Sequence, residues 1–148
     1  MNSRLEEPIE ILLVEDNPGD VRLTQEAFAS ISSETVIHVA TDGDEALAFL
    51  ESRRTEKSAS VPDLVLLDLN LPRMSGLQFL EAVREEPPLA RIPVLVLTSS
   101  EAVEDILESY ELAANAYLTK PTDPSEYTAM VESVAEFWFQ QAALPPLS

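Results

Sequence analysis

The sequence predicts an α/β fold, doubly wound, in which five parallel strands in the order 2-1-3-4-5 carry helices on both faces. Two observations lead there. Five strand-length apolar runs alternate with five longer stretches of helical period, and the runs are rich in Val, Ile and Leu, as strands covered on both faces require. The strict strand–helix repetition adds a third, since it implies right-handed crossovers and therefore a parallel sheet.

The elements follow in order. Ile9–Val14 is the first run, and Val21, Thr24 and Phe28 mark one face of the helical stretch after it. Val36–Val39 precedes a segment lined by Ala46, Leu47, Phe49 and Leu50, and Leu64–Leu67 precedes one marked by Leu77, Leu80 and Val83. Val94–Leu97 leads to the stripe Val103, Leu107 and Tyr110; Ala116–Thr119 leads to Tyr127, Met130, Val131, Val134 and Trp138. Asp42, Ser75 and Asp123 each stand three residues before Glu45, Gln78 and Glu126, the spacing of a capping box. Pro124 then falls at a first helical position, where its missing N–H costs nothing. Residues 53–62 (RRTEKSASVP) read as a polar loop. The arrangement is the flavodoxin-like (βα)5 fold, with a tail at 1–8, one domain over 9–140 and a second tail at 141–148.

Composition narrows the function. The chain has 148 residues, enough for one domain with a proper core. Nine basic residues against 27 acidic ones give a net charge of -18, so nucleic acid and anionic membranes are repelled over most of the surface. The plain reading of this charge is a solvated acidic surface; the functional one is steering of a basic partner. The absence of cysteine excludes disulfides, thiolate metal sites and a cysteine nucleophile. The opening MNSRLEEPIE has no apolar h-region, and the longest apolar runs are far short of a membrane span, so a cytoplasmic location is expected.

Open α/β sheets place their chemistry outside the C-terminal strand ends. The first strand runs into Glu15 and Asp16, the third ends at Asp68, the fourth at Thr98, and the fifth at Lys120. In the order 2-1-3-4-5 these ends are neighbours and the groups converge. Carboxylates about 4 Å apart repel by roughly 4 kcal/mol per pair at an effective dielectric near 20, which calls for a cation among them. Oxygen ligands suit a hard divalent ion such as Mg2+. With Lys120 opposite, the pocket suits a phosphoryl group, a carboxylate serving as nucleophile and the Thr98 hydroxyl as donor to a phosphoryl oxygen. Each residue alone has an ordinary structural use: Asp16 or Asn17 as a helix cap, Lys120 as a solvated charge.

The text LLVEDNPGD, LVLLDLNLPRMSG, VLVLTSSE and AYLTKP resembles the receiver domain of two-component response regulators, over about Ile9 to Trp138. The resemblance implies that Asp68 is the phosphoacceptor. It implies that Asp16 binds Mg2+ directly and Glu15 mainly through water, with the backbone carbonyl of Asn70 completing the set. Thr98 and Tyr117 match the switch hydroxyl and switch aromatic, and Lys120 the phosphate-binding lysine, aimed by a cis bond to Pro121. The opening VEDNPGDVRL and the expected lack of an output domain are similar to the small stand-alone regulators that partner phytochromes, which implies a sensor histidine kinase as donor. The Glu-Asp acidic pair departs from the commoner Asp-Asp.

On this reading the chain catalyses only its own phosphorylation and dephosphorylation. Phosphorylation draws in Thr98, Tyr117 swings from an exposed to a buried rotamer, and the face of the fourth helix, fifth strand and fifth helix changes shape. Asn70 and Ser100 flank the water path and tune phosphate loss. A haloacid-dehalogenase-like phosphatase would need a second acid where Asn70 stands, and Glu15–Asp16 would repel a flavin phosphate. A purely structural scaffold is the remaining rival. His38 is expected to be a packed or edge residue, Arg73 and Met74 to line a kinase-docking loop, and Glu101, Glu104, Asp105, Glu108 and Glu111 to form an acidic helix face. A homodimer is expected through the face just named or through the apolar EFWFQQAALPPL segment, in which Trp138 caps the core while Phe137 and Phe139 cannot both follow it inward.

Overall fold

Side chains alternate across a strand, so a strand apolar at every position must be covered twice. The computed structural model, which describes residues 9–31, 34–55 and 61–138, shows how. Its elements are β1 (Ile9–Val14), α1 (Pro18–Ile31), β2 (Thr35–Ala40), α2 (Gly43–Thr55), β3 (Leu64–Leu67), α3 (Gly76–Glu85), β4 (Val94–Thr98), α4 (Val103–Glu111), β5 (Ala116–Thr119) and α5 (Pro124–Glu136). All strand pairs are parallel and the order is β2-β1-β3-β4-β5, as expected. The second and fourth strands each run slightly beyond the predicted runs, because the ladder takes in Thr35, Ala40 and Thr98.

Alternate residues of each strand feed two cores. Ile11, Leu13, Leu64, Leu66, Leu95 and Leu97 pack against Ala27 and Phe28 of α1 and Tyr127, Val131 and Ala135 of α5. Leu12, Val14, Val65, Leu67, Val94 and Val96 pack against Ala46 and Leu50 of α2 and Phe79, Leu80 and Val83 of α3. Each fully buried Leu or Phe contributes roughly 1.5–3 kcal/mol, and the double cover fixes the sheet on which the site stands. Trp138 packs at the edge of the α1–α5 core and Phe137 is exposed beside it, their rings meeting edge to face at 5.7 Å. Phe139 and the rest of the apolar C-terminal segment lie outside the described residues, as do residues 56–60 of the polar loop.

The helix starts follow their sequence signals. Ser75 and Gln78 form a complete capping box. Asp42 accepts from the Glu45 N–H at 2.8 Å, while the Glu45 carboxylate turns to the Thr41 N–H. Asp123 accepts from the Ser125 and Glu126 N–H groups, with Pro124 in the first turn. One helix faces the wrong way for its stripe. Val103, Leu107 and Tyr110 are 64%, 59% and 51% exposed, whereas Ser109 is buried and Ile106 and Leu112 are half-buried. Periodicity marks a stripe without saying which way it points, and α4 turns the side of Ile106, Ser109 and Leu112 inward.

His38 lies on the edge strand β2, 3.0 Å from Glu10 and tilted against Phe49, with Arg53 also bonded to Glu10 at 3.1 Å. It is a packed edge residue, as expected.

Candidate functional site

Strand register assembles the site. Val14 of β1 pairs with Leu67 of β3, so the next residues, Glu15 and Asp68, leave adjacent strands at the same level. Thr98 pairs with Thr119, and Lys120 follows, its N–H bonded to the Thr98 carbonyl at 2.8 Å. The backbone is satisfied on both sides of the acids, since the Glu15 N–H reaches the Ala40 carbonyl and the Asp68 N–H the Val14 carbonyl.

One carboxylate oxygen each from Glu15, Asp16 and Asp68 fall within 4.8 Å of one another, with Glu15 and Asp68 buried and Asp16 exposed. Such a set of hard oxygen ligands, open on one side, fits a divalent cation that keeps several waters. Lys120 supplies the positive charge that lets the acids stand together. Its Nζ donates to Glu15 at 2.5 Å, to Asp20 at 2.9 Å and to Asp68 at 3.0 Å. Burial pushes the Glu15 carboxyl up to about 7, against the opposing pull of the Lys120 hydrogen bond. Burial alone would lower the Lys120 ammonium, but its hydrogen bonds to Glu15 and Asp20 outweigh that and hold it well above the usual lysine range.

The remaining bonds orient the carboxylates. Asp68 Oδ1 accepts from the Asn70 N–H at 3.0 Å, and Glu15 Oε2 from the Asn17 N–H at 3.1 Å. Asn17, not Asp16, caps α1, its side chain accepting from the Asp20 N–H at 3.0 Å. That leaves Asp16 free to face the pocket. The loop leaving Asp68 is held close by Gly76, where a Cβ would fall 2.4 Å from the Asp68 carbonyl oxygen. Arg73 adopts a left-handed φ of 60° there and lies 3.6 Å from Asp42, while Met74 packs over Gly43.

Thr98 is fully buried, its hydroxyl 3.4 Å from both the Asn70 side-chain amide and the Ser100 N–H. Ser100 donates to Asp105 at 2.6 Å, and the Tyr117 hydroxyl donates to the Ser100 carbonyl at 2.9 Å. Tyr117 is half-buried over this corner, held by that bond. One expectation fails. None of the described peptide bonds is cis, so Lys120–Pro121 is trans. The ladder bond to Thr98 sets the Lys120 backbone, and its four-carbon stem covers the distance to the acids.

Sequence reasoning brought together Glu15, Asp16, Asp68, Thr98 and Lys120, and the structure does the same. It missed Asp20, the third acceptor of Lys120. The signal was the Asn17-x-x-Asp20 spacing, which sets the acid one turn into α1 on the side of the strand ends.

A family model described as "Response regulator receiver domain" matches residues 11–132. The chain is 39% identical over 145 residues to "Response regulator Rcp1" of Synechocystis, covering 98% of this chain and 99% of that protein. Among solved structures, the phosphorylated cyanobacterial phytochrome response regulator RcpA superposes with a TM-score of 0.88 at 42% identity, covering 94% of this chain and 99% of that one. The Mn(2+)-bound form of Rcp1 gives 0.87 at 40% identity, covering 94% of this chain and 100% of that one.

Proposed function

Because the chain belongs to the response regulator receiver domain family, a family of two-component signalling proteins that bind a divalent metal, we propose that Asp68 accepts a phosphoryl group from a sensor histidine kinase and that the metal is Mg2+. The observation that carries this reading is Lys120 hydrogen-bonded to Asp68 beside three clustered carboxylates at neighbouring strand ends.

A carboxylate oxygen of Asp68 forms the new P–O bond while the P–N bond to the donor imidazole breaks and the imidazole keeps the bonding pair. Asp16, Asp68 and the Asn70 backbone carbonyl would hold the metal, with Glu15 reaching it mainly through water, and the bound ion would supply positive charge beside the phosphoryl oxygens. Lys120 follows the new phosphoryl group from the other side, and the Thr98 hydroxyl turns toward it. That releases Ser100 and Tyr117 and alters the face of α4, β5 and α5. Asn70 and Ser100 govern the entry of the water that later removes the phosphate, so the chain promotes only its own phosphorylation and dephosphorylation.

The donor we favour is a phytochrome-type kinase, by likeness to the phytochrome response regulator named above. The receiver unit is taken to span residues 9–140, with tails at 1–8 and 141–148, in the cytoplasm. No helix among the described residues is long and apolar enough to cross a membrane. The charge of -18 disfavours nucleic acid, and the exposed Val103, Leu107 and Tyr110 favour a homodimer through the α4-β5-α5 face.

Incubation with a small phosphoramidate and Mg2+ should give a hydroxylamine-labile acyl phosphate on the parent chain and none on Asp68→Asn. Beryllofluoride with Mg2+ should shift the Tyr117 signals. A parent chain that takes no label, or an Asp68→Asn chain labelled equally well, rules the reading out.

A further inference from the structure

An ammonium group has three N–H donors, and in Lys120 each meets a different carboxylate: Glu15, Asp20 and Asp68. Two of those acids belong to the cluster that fits a metal, and Asp20 does not. We propose that Asp20 is a positioning residue for Lys120, a fourth acid of the site that keeps the ammonium in place when metal and phosphoryl group compete for Glu15 and Asp68. The inference rests on the phosphoacceptor reading above.

Asp20 is built for a fixed hold. Its N–H is bonded to the Asn17 side chain at 3.0 Å, and its carbonyl accepts from the Thr24 hydroxyl at 2.8 Å. That hydroxyl, fully buried, also pairs with the buried Tyr127 hydroxyl at 2.9 Å, which ties the first turn of α1 to α5. Asp20 stands in that first turn of α1. Lys120, by contrast, hangs on a flexible stem with many rotamers, and its side chain is only 8% exposed. Take Asp20 away, and the remaining partners of the ammonium are the two acids that metal and phosphoryl group also claim. The lysine then loses its fixed position, and misplacement by about 1 Å costs a reaction up to roughly 100-fold.

Two readouts test this. At saturating Mg2+, with a small phosphoramidate as donor, Asp20→Ala should be phosphorylated about tenfold more slowly than the parent and Asp20→Asn about threefold more slowly. In a Lys120→Met background Asp20→Ala should change the rate less than about twofold, because the residue acts through the lysine. The second readout needs no phosphorylation. In Mg2+, mass-spectrometric footprinting with an amine-acylating reagent should label Lys120 about fivefold faster in Asp20→Ala than in the parent. Lys57, the other lysine of the sequence, serves as the internal control. The proposal is overturned by equal Lys120 labelling in parent, Asp20→Ala and Asp20→Asn, or by a full tenfold additional loss in the Lys120→Met background. Should Asp20→Ala not fold, the isosteric Asp20→Asn decides. An unphosphorylated parent would sink the phosphoacceptor reading while the footprint still judged Asp20.

Discussion

Arg84 Nη2 donates to the carbonyl of Ala113 at 2.8 Å, and Ala113 is held at a left-handed φ of 63°. The same guanidinium also takes the carbonyls of Leu112, Ala90 and Ile92. Burial lowers its pKa, with these carbonyls as its hydrogen-bond acceptors. Ala113 closes α4 in a Schellman turn, with the Ala114 N–H on the Ser109 carbonyl and the Ala113 N–H on that of Tyr110. An alanine there bears a backbone cost that glycine avoids. Ala113→Gly should raise stability by about 0.5–1 kcal/mol, and Arg84→Met should lower it by roughly 2–3 kcal/mol. Urea unfolding monitored by circular dichroism checks both, and equal midpoints for parent and Ala113→Gly would contradict the first.

Gly76 and Gly19 should behave oppositely when replaced by alanine. At Gly76 the new methyl meets the Asp68 carbonyl at 2.4 Å and Leu69 Cα at 2.6 Å, both backbone atoms. We expect a loss of about 1–3 kcal/mol together with slower phosphorylation. At Gly19 the nearest contact among the described residues is the Asn17 side-chain oxygen at 3.2 Å. Stability there should stay within about 0.5 kcal/mol of the parent. Thermal melts of the two variants in parallel test the contrast.

Mg2+ should stabilise the folded chain through the three clustered acids. At a free concentration tenfold above Kd the gain is about 1.4 kcal/mol, and EDTA removes it. Asp16→Asn should abolish most of that gain. Because Asp16 is exposed, the same variant in EDTA should be as stable as the parent or slightly more so, through relief of repulsion with Glu15 and Asp68. A melt of Asp16→Asn that still responds fully to Mg2+ would remove Asp16 from the metal site.

Tyr127 gives a pH test at the contact between α1 and α5. Burial raises its phenol to about 12, only partly offset by the Thr24 hydrogen bond. A folded pKa above the unfolded value of 10 means that the folded state holds the proton longer. Its contribution is therefore full below pH 10 and is lost as pH rises toward 12. Tyr127→Phe should cost about 0.5–1.5 kcal/mol at neutral pH and flatten the alkaline fall in stability. Identical alkaline slopes for parent and variant would remove Tyr127 as their source.

What the sequence disclosed depended on where each partner lay. Glu15, Asp68, Thr98 and Lys120 each follow an apolar run, and parallel register turns that shared feature into one pocket. Asp20 was hidden because an acid in a first helical turn has an ordinary dipole explanation. Arg84 was hidden for another reason: its acceptors are backbone carbonyls, which no residue type announces. The outward turn of Val103 and Leu107 was equally silent, since hydrophobic period carries no sign. The half-buried setting of Tyr117 combines packing against the core with a hydroxyl bond to the Ser100 carbonyl, an acceptor in an irregular corner that no residue type announces.

The two ends of α4 are tied down very differently. Its last turn is gripped through the Leu112 and Ala113 carbonyls by a guanidinium that also anchors the segment before β4. At its beginning Ala102 provides no side-chain cap, and the contact with the site runs through the Ser100 hydroxyl to Asp105 and the Ala102 N–H. The firmer hold is thus on the end of α4 far from the pocket. If phosphorylation pulls on the β4–α4 corner, Val103 should move more than Leu112, and a partner seated on the first turn should sense the change more than one seated on the last.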